Sequence, residues 1–384
     1  MQNKLTSLFS PYTLGENIVL RNRVVMAPMT TWSANPDGTI SAQELAFYAR
    51  RSRDVGLVIT GCTYVTPSGI GFTNEFAAYD DRFINSLEKL ATAAKSGGAP
   101  AILQIFHAGN KAIPDLVPDS DVISASPSNA QAGDINPGKT LSREMTENEI
   151  QATIQAFGDV TKRAIKAGFD GVELHGAHGF LLQNFFSPLF NHRSDRWGCN
   201  LENRMRFPLA VLQEVKNTVY ECATKPFVIG YRISPEESAM GGLRIEDTYK
   251  LLDRLISSGV SYIHASLVSI NESYPVDNSN GPRTIELLLN HIAGRVPVIA
   301  AGKVRTPVQA LEALSLGLPL VAVGKGLVIN PEWVSLAKSG RCDEILTALD
   351  PKSVPELSIP DKLWRVIKAS KGTGWFPVSD IGEI

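Results

Sequence analysis

Short runs of β-branched and other apolar residues recur along the chain, and each is followed by a stretch whose apolar positions return every three to four residues. The first kind of run reads as a buried strand and the second as an amphipathic helix, so their alternation predicts βα units and a parallel sheet. Strands are predicted to begin near Val24, Leu57, Ala101, Gly171, Phe227, Tyr262, Val296 and Pro319. Helical stretches are predicted at 42–54, 82–95, 147–167, 202–220, 245–258, 284–292, 306–316 and 331–338. Eight strands alternating with eight helices predict a single (β/α)8 barrel of the TIM type.

Local punctuation agrees with this reading. Thr146 stands three residues before Glu149 as in a capping box, and Thr306-Pro307 places a proline at a first helical position. Gly168, Gly259 and Gly317 each separate a helical pattern from the next strand, where a C-terminal cap belongs. The competing fold, an open doubly wound sheet, would carry G-x-G-x-x-G after its first strand, and none is present there. The segment 107–143 breaks the spacing: it is rich in Pro, Ser, Asp and Asn, lacks a strong helical period, and reads as a long irregular binding loop or lid. About 20 residues precede the first unit, and an extension over 341–384 follows the last. That extension contains Trp364, Trp375 and Phe376, which calls for packing on its own barrel or, in a homo-oligomer, on a neighbouring subunit.

Composition narrows the function. The chain has 384 residues with 37 Lys+Arg against 39 Asp+Glu, a formal charge of −2, and no basic run of the kind that neutralises phosphates, so a nucleic-acid partner is not expected. With 43% hydrophobic and 20% charged residues it is an ordinary globular composition rather than a disordered one. Cys62, Cys199, Cys222 and Cys342 show no C-x-x-C spacing, which argues against an iron–sulfur cluster, a zinc site or a disulfide framework. No secretory signal and no membrane-length apolar stretch is visible, so a cytoplasmic location is the expectation.

In such a barrel the chemistry collects where strands end. The first strand ends in Ala27-Pro28-Met29-Thr30, the second in Thr60-Gly61, the third in Gln104 to His107, and the fourth in Glu173-Leu174-His175-Gly176-Ala177-His178. The fifth ends in Tyr231-Arg232, the seventh in Ala300-Ala301-Gly302-Lys303, and the eighth in Val323-Gly324-Lys325. Glycines after strands seven and eight let backbone N–H groups approach an anion, and two lysines add charge, which together point to a phosphorylated ligand. Arg232, inside an otherwise apolar strand, needs either an anion or electron-rich ring to face, or a structural ion pair with a carboxylate such as Glu173. Gln104 offers both donors and an acceptor. His175 and His178 could donate together to an oxygen that gains negative charge; a metal site would need a third ligand, and no H-E-x-x-H is present.

Taken together these strand ends resemble the old yellow enzyme family of FMN-dependent oxidoreductases. The resemblance runs from about Leu5 to Lys338, through the segments 21–30, 175–182, 186–189, 191–193, and 202–204 with Arg206-Phe207. It implies a single FMN-binding TIM-barrel domain over 1–384, its barrel spanning about 20–340, with NADH or NADPH as electron donor. Ala27, Pro28, Met29 and Thr30 would lie against the flavin, Thr30 beside the carbonyl next to N5. Gly61 and Gln104 would touch the ring edge, Arg232 would face N1, and Ala301, Gly302, Lys303, Gly324 and Lys325 would hold the phosphate. His175 and His178 would bind the oxygen of an electron-poor substrate: an α,β-unsaturated carbonyl compound, a quinone or a nitro compound.

Four positions depart from the family pattern. Phe180 stands where the family commonly has a proton-donating Tyr, so water, another residue such as Tyr64, or no acid at all serves that step. Trp32 stands where one branch has an active-site Tyr, which makes the pocket more apolar. Lys325 replaces a more usual Arg and loses the bidentate fork. Cys199 replaces a Gly in a loop read as scaffold. Two alternatives to an ene-reductase are a non-catalytic flavin-binding protein, suggested by Phe180, and a phosphate-binding barrel lyase or isomerase with Lys303 as Schiff-base nucleophile.

Overall fold

The computed structural model describes residues 5–15, 17–131 and 139–379. Eight strands, β1 (Val24–Met26), β2 (Leu57–Ile59), β3 (Ala101–Phe106), β4 (Gly171–Gly176), β5 (Val228–Ile233), β6 (Tyr262–Ser266), β7 (Val298–Ala301) and β8 (Leu320–Val323), pair in parallel in chain order. β8 returns to β1 and the sheet closes. The principal helices of the βα units are α1 (Ala42–Arg51), α2 (Ile84–Lys95), α3 (Glu147–Lys166), α4 (Leu201–Cys222), α5 (Ile245–Ser257), α6 (Thr284–Ile292), α7 (Pro307–Ser315) and α8 (Trp333–Lys338). Every predicted strand starts within two residues of its observed position, because the apolar runs are buried on both faces and admit little else.

The caps form as expected. Thr146 and Glu149 exchange side-chain bonds at the start of α3, and Thr306 with Gln309 does the same for α7. Gly168, Gly259 and Gly317 take the left-handed conformation that ends a helix.

The segment 107–143 differs from the expectation of an irregular loop. Ile123–Ser124, Ser128–Gln131 and Lys139–Glu144 form a small three-stranded sheet of their own. Its strands are short and mixed in polarity, so no alternation marks them in the sequence. Part of that segment, 132–138, lies outside the described residues. The tail packs on its own barrel: the helix Asp361–Ala369 buries Leu363 and Ile367, and Leu349 pairs with Val378. No helix among the described residues is long and apolar enough to cross a membrane.

Strand period places alternate residues inside the barrel. Val25, Leu57, Ile59, Ile102, Val228, Ile299 and Leu320 form an apolar plug, closed from below by Leu14, Ile18 and Leu20 of the hairpin Tyr12–Leu14 with Ile18–Leu20. The residues of opposite parity pack outward in a larger core shared with the helices.

Candidate active site

Above the plug the same parity continues into polar residues. Gln104, Glu173, Tyr262 and His264 form a buried middle layer. Gly61, His175, Arg232, Ser266, Ala301 and Gly324 follow at the mouth, with His175 opposite Arg232 and Arg232 opposite His264 in register.

The middle layer is a hydrogen-bond network centred on Glu173, in which only His264 Nε2 has no partner among the described residues. One carboxylate oxygen accepts from Gln104 Nε2 at 2.7 Å; the other accepts from the Tyr262 hydroxyl at 3.0 Å and from His264 Nδ1 at 2.9 Å. Gly230 makes room for it, since a Cβ there would lie 2.0 Å from the Tyr262 ring. Burial alone would raise the carboxyl's pKa, but His264, Arg232 and Gln104 outweigh it and hold Glu173 below its ordinary value. It is therefore a buried anion. The sequence places Tyr262 only as a strand start and does not single out His264 or Ser266 as site residues; polar residues at the alternate positions 262, 264 and 266 were the available signal.

Arg232 is the matching cation. Its guanidinium donates to Ser266 Oγ at 3.1 Å, while the buried Nε has no hydrogen-bond partner among the described residues. Because Glu173's oxygens are occupied by three other donors, the direct ion pair considered from sequence does not form. Glu173 stabilises Arg232 through space, while burial lowers the Arg232 pKa. The side chain thus retains an unsatisfied donor near the mouth, which is costly unless a ligand accepts from it.

The two histidines converge. Their ring centroids are 4.9 Å apart and nearly perpendicular. Ala177 N–H donates to His175 Nδ1 at 3.3 Å, which places the His175 proton on Nε2. Ser266 Oγ, which accepts from Arg232, also sits 2.7 Å from His178 Nε2 and can either accept from that ring nitrogen or donate to it. His175 is dehydrated by burial, and His178, though open to the mouth, is walled by protein and faces Arg232 and Lys111. Both pKa values fall well below the usual histidine value, so both rings are neutral donors. His178 and Gly179 both adopt positive φ, 60° and 70°, which turns the chain sharply before the short helix Leu181–Phe186.

Aromatic rings line one side of this space. Phe180 contacts His175 at 4.8 Å and Phe106 at 4.9 Å between centroids. Phe72 continues the wall to Trp32, 5.7 Å away, and Trp32 packs at 5.8 Å against Trp375 of the tail. Phe72 was not anticipated. Tyr64 was considered as a replacement acid, but its ring packs on Tyr79 and a Cβ on Gly38 would meet its hydroxyl, so it lies toward the helices rather than the histidines.

The rest of the mouth is shaped by missing side chains. A Cβ on Gly61 would lie 2.5 Å from the Met29 carbonyl oxygen, one on Gly324 3.1 Å from Met29 Sδ, and one on Gly302 2.9 Å from Ile270 N. Ala27, Pro28 and Met29 follow β1 along this floor, where Ala27 N–H donates to the Val323 carbonyl at 3.0 Å, and Thr30 reaches Cys62. Gln104 is fully buried, its carbonyl accepting from Cys62 Sγ at 3.2 Å. Lys303, at φ 52°, has an exposed side chain. Lys325 opens a short helix whose first N–H groups lack intrahelical partners, and its Nζ donates to the Trp375 carbonyl. Burial, then Arg305, lowers the Lys325 pKa; Arg305 adds a third cation to the pair read from sequence. An orphaned buried guanidinium, a glycine-lined floor and cations at the ends of β7 and β8 fit a flat, anionic, phosphorylated group such as FMN. Among the described residues no group of three or more His, Cys, Asp or Glu is placed to hold a metal ion.

Comparison with known proteins gives consistent results. A sequence model of the NADH:flavin oxidoreductase / NADH oxidase family matches residues 7–344. The chain is 40% identical over 380 residues to the probable NADH-dependent flavin oxidoreductase YqiG of Bacillus subtilis (strain 168), covering 99% of this chain and 100% of that protein. It is 36% identical over 361 residues, 93% of its length, to the NADH:fumarate oxidoreductase of Klebsiella pneumoniae (strain 342), but spans only 38% of that longer protein. Among solved structures, the old yellow enzyme homologue from Zymomonas mobilis matches with a TM-score of 0.76 at 23% identity, covering 93% of this chain and 99% of that one.

Proposed function

The chain belongs to the NADH:flavin oxidoreductase / NADH oxidase family, and from that premise we propose that it reduces activated alkenes, quinones or nitro compounds at the mouth of its barrel. It is an FMN-binding oxidoreductase that takes electrons from NADH or NADPH. When bound, FMN supplies the hydride chemistry at N5; the chain's own residues bind, orient and stabilise.

In this reading Arg232 turns its orphaned Nε toward the ring edge where negative charge collects, with Glu173 holding the guanidinium's charge in the barrel. Ala27 to Thr30, Gly61 and Gln104 form the floor and edge, while Ala301, Gly302, Lys303, Gly324 and Lys325 take the phosphate. His175 Nε2–H donates to the substrate oxygen as it gains charge, joined by His178 Nδ1–H when Ser266 directs its hydroxyl proton to His178 Nε2, and neutral rings stabilise that charge by hydrogen bonding without transferring a proton. Trp32, Phe72 and Phe180 favour a flat, apolar substrate. Lys303 is exposed and lacks the apolar burial that activates a Schiff-base lysine, so the lyase reading gains nothing from the site.

The observation that carries this reading is the buried, unsatisfied Arg232 beside two neutral histidine donors. The test is anaerobic stopped flow. NADH or NADPH should bleach the yellow holoprotein, and 2-cyclohexenone, a quinone or a nitroarene should restore its colour. A colourless protein that FMN cannot reconstitute refutes the reading, and a flavin reduced only by dithionite favours a binding protein. Replacing both histidines should abolish the charge-transfer band of a bound phenol.

A further inference from the structure

The site has a second acid that the reading above does not use. Glu75 follows the loop after β2 and is buried, 3% exposed. One carboxyl oxygen accepts from Gly71 N–H at 3.0 Å, and Phe72 N–H also bonds the carboxyl, so the group fixes the loop that carries Phe72 into the aromatic wall. Its other oxygen, Oε1, is buried without a partner among the described residues. Glu75 lines a cavity of about 10 Å³ together with Thr30, Thr31, Trp32, Gly61, Cys62, Asn74 and Phe76. That is the size that holds one water, given polar partners. Three of the lining residues, Thr30, Trp32 and Gly61, are the ones placed at the flavin floor and substrate pocket.

We propose that Glu75, with one water in this cavity, stores and delivers the proton that Phe180 cannot supply. This rests on the alkene-reducing function proposed above. After hydride has reached the substrate β-carbon, the Oε1–H bond breaks and the water passes a proton on, forming the α-carbon C–H bond. The enolate charge held by His175 and His178 is thereby discharged, and Glu75, left as carboxylate, regains a proton from solvent. Donor hydride and solvent proton together account for both hydrogens added.

Several observations favour the proton-bearing form. Cys62 and Tyr64 are the titratable groups that face Glu75, and neither is a cation that would hold it ionised. Desolvation raises its carboxyl well above the ordinary range, against the two N–H bonds that favour the anion. An orphaned Oε1 also fits a hydroxyl awaiting a water better than a bare carboxylate oxygen with none.

The test uses the FMN-loaded protein and the Glu75→Gln variant, which keeps an oxygen for the Gly71 cap but has no acid to give. Turnover of 2-cyclohexenone relative to a quinone, which needs no carbon protonation, should fall about 100-fold, in line with loss of a general acid. Adding Phe180→Tyr to the variant should restore the ratio. Wild-type minus Glu75→Gln infrared difference spectra should show a protonated carboxylic C=O band near neutral pH beyond the one Glu44 gives to both proteins, a readout independent of turnover. An unchanged enone-to-quinone ratio, or a wild type without that band, overturns the role of Glu75 alone. A wild type that NAD(P)H bleaches but that reduces no enone overturns the alkene reading and Glu75's part in it.

Discussion

Replacing Glu173 with glutamine is a direct probe of how charge is organised inside the barrel. The carboxylate accepts from three donors, Gln104 on one oxygen and Tyr262 with His264 on the other. Glutamine has nearly the same shape but one acceptor oxygen and one donating amide. In either orientation an N–H is set against at least one of those donors, and a buried donor left unmatched costs about 1–3 kcal/mol. The change also removes the anion that balances Arg232. Removing one partner of a buried pair costs roughly 3–5 kcal/mol, and the lower end applies because the two groups do not touch. The expected loss is therefore about 4–6 kcal/mol, read as a lower urea midpoint by pulse proteolysis at saturating FMN. The pH dependence has a definite sign. Glu173 is held below the ordinary carboxylate value, so its stabilisation is complete above the unfolded-state pKa, about 4.3, and disappears as pH falls through the lower folded-state pKa. The gap between wild type and variant should be constant from pH 5 to 8 and narrow below about pH 4. Loss of a nearby anion should also make the bound flavin easier to reduce, raising its midpoint potential. A gap under about 1 kcal/mol at pH 7, a gap that widens toward acid, or a lowered potential would refute the arrangement.

Three further changes probe other parts of the site. Gly61→Ala puts a Cβ 2.5 Å from the Met29 carbonyl oxygen, a backbone atom that cannot move without shifting the β1 loop; FMN binding measured by fluorescence should weaken at least about tenfold, and unchanged affinity would contradict the assigned floor. Glu44 is fully buried, with Thr31 on one oxygen, and burial raises its pKa to about 7. The native state then holds an extra proton between about pH 4.5 and 7, so stability should fall by about 3 kcal/mol as pH rises through that window. Glu44→Gln should flatten that decline, and an unaltered slope in urea titrations at pH 5 and 8 would show that the carboxyl reaches solvent. Trp375→Ala removes the edge contact to Trp32 and the cover over Lys325. An aromatic pair contributes about 0.5–1.5 kcal/mol, so KM for flat apolar substrates should rise up to about tenfold, whereas no change would place the tail outside the pocket.

Much of the barrel was legible because each strand is an apolar run bounded by a capped helix, and those signals are local. Thr146, Pro307 and the glycines at 168, 259 and 317 mark element ends by backbone chemistry that no distant contact overrides. The small sheet within 107–143 was not legible, since its pairings depend on neighbours brought in by β3 and β4 rather than on its own composition. Trp375 was visible only as an apolar residue needing cover, and its partner Trp32, more than 340 residues earlier in the chain, could not be inferred from spacing. Glu75 was equally silent, because a single carboxylate in a loop carries no pattern until burial and an unpaired oxygen single it out.

The middle layer shows how a strand-end reading can locate a site and still leave the partners within it open. Parity alone puts Gln104, Glu173, Arg232 and His264 inside the barrel, and a buried cation with a buried anion invites a direct pair. The register decides otherwise. Glu173 lies beside Gln104 on one side and one layer below Arg232 on the other, so its oxygens go to Gln104, Tyr262 and His264. Arg232 gains charge balance without losing its donor. A direct pair would have consumed the guanidinium inside the barrel, whereas separation by one layer keeps a stabilised positive charge facing the mouth. The arrangement also depends on Gly230, because a Cβ there would lie 2.0 Å from the Tyr262 ring whose hydroxyl donates to Glu173.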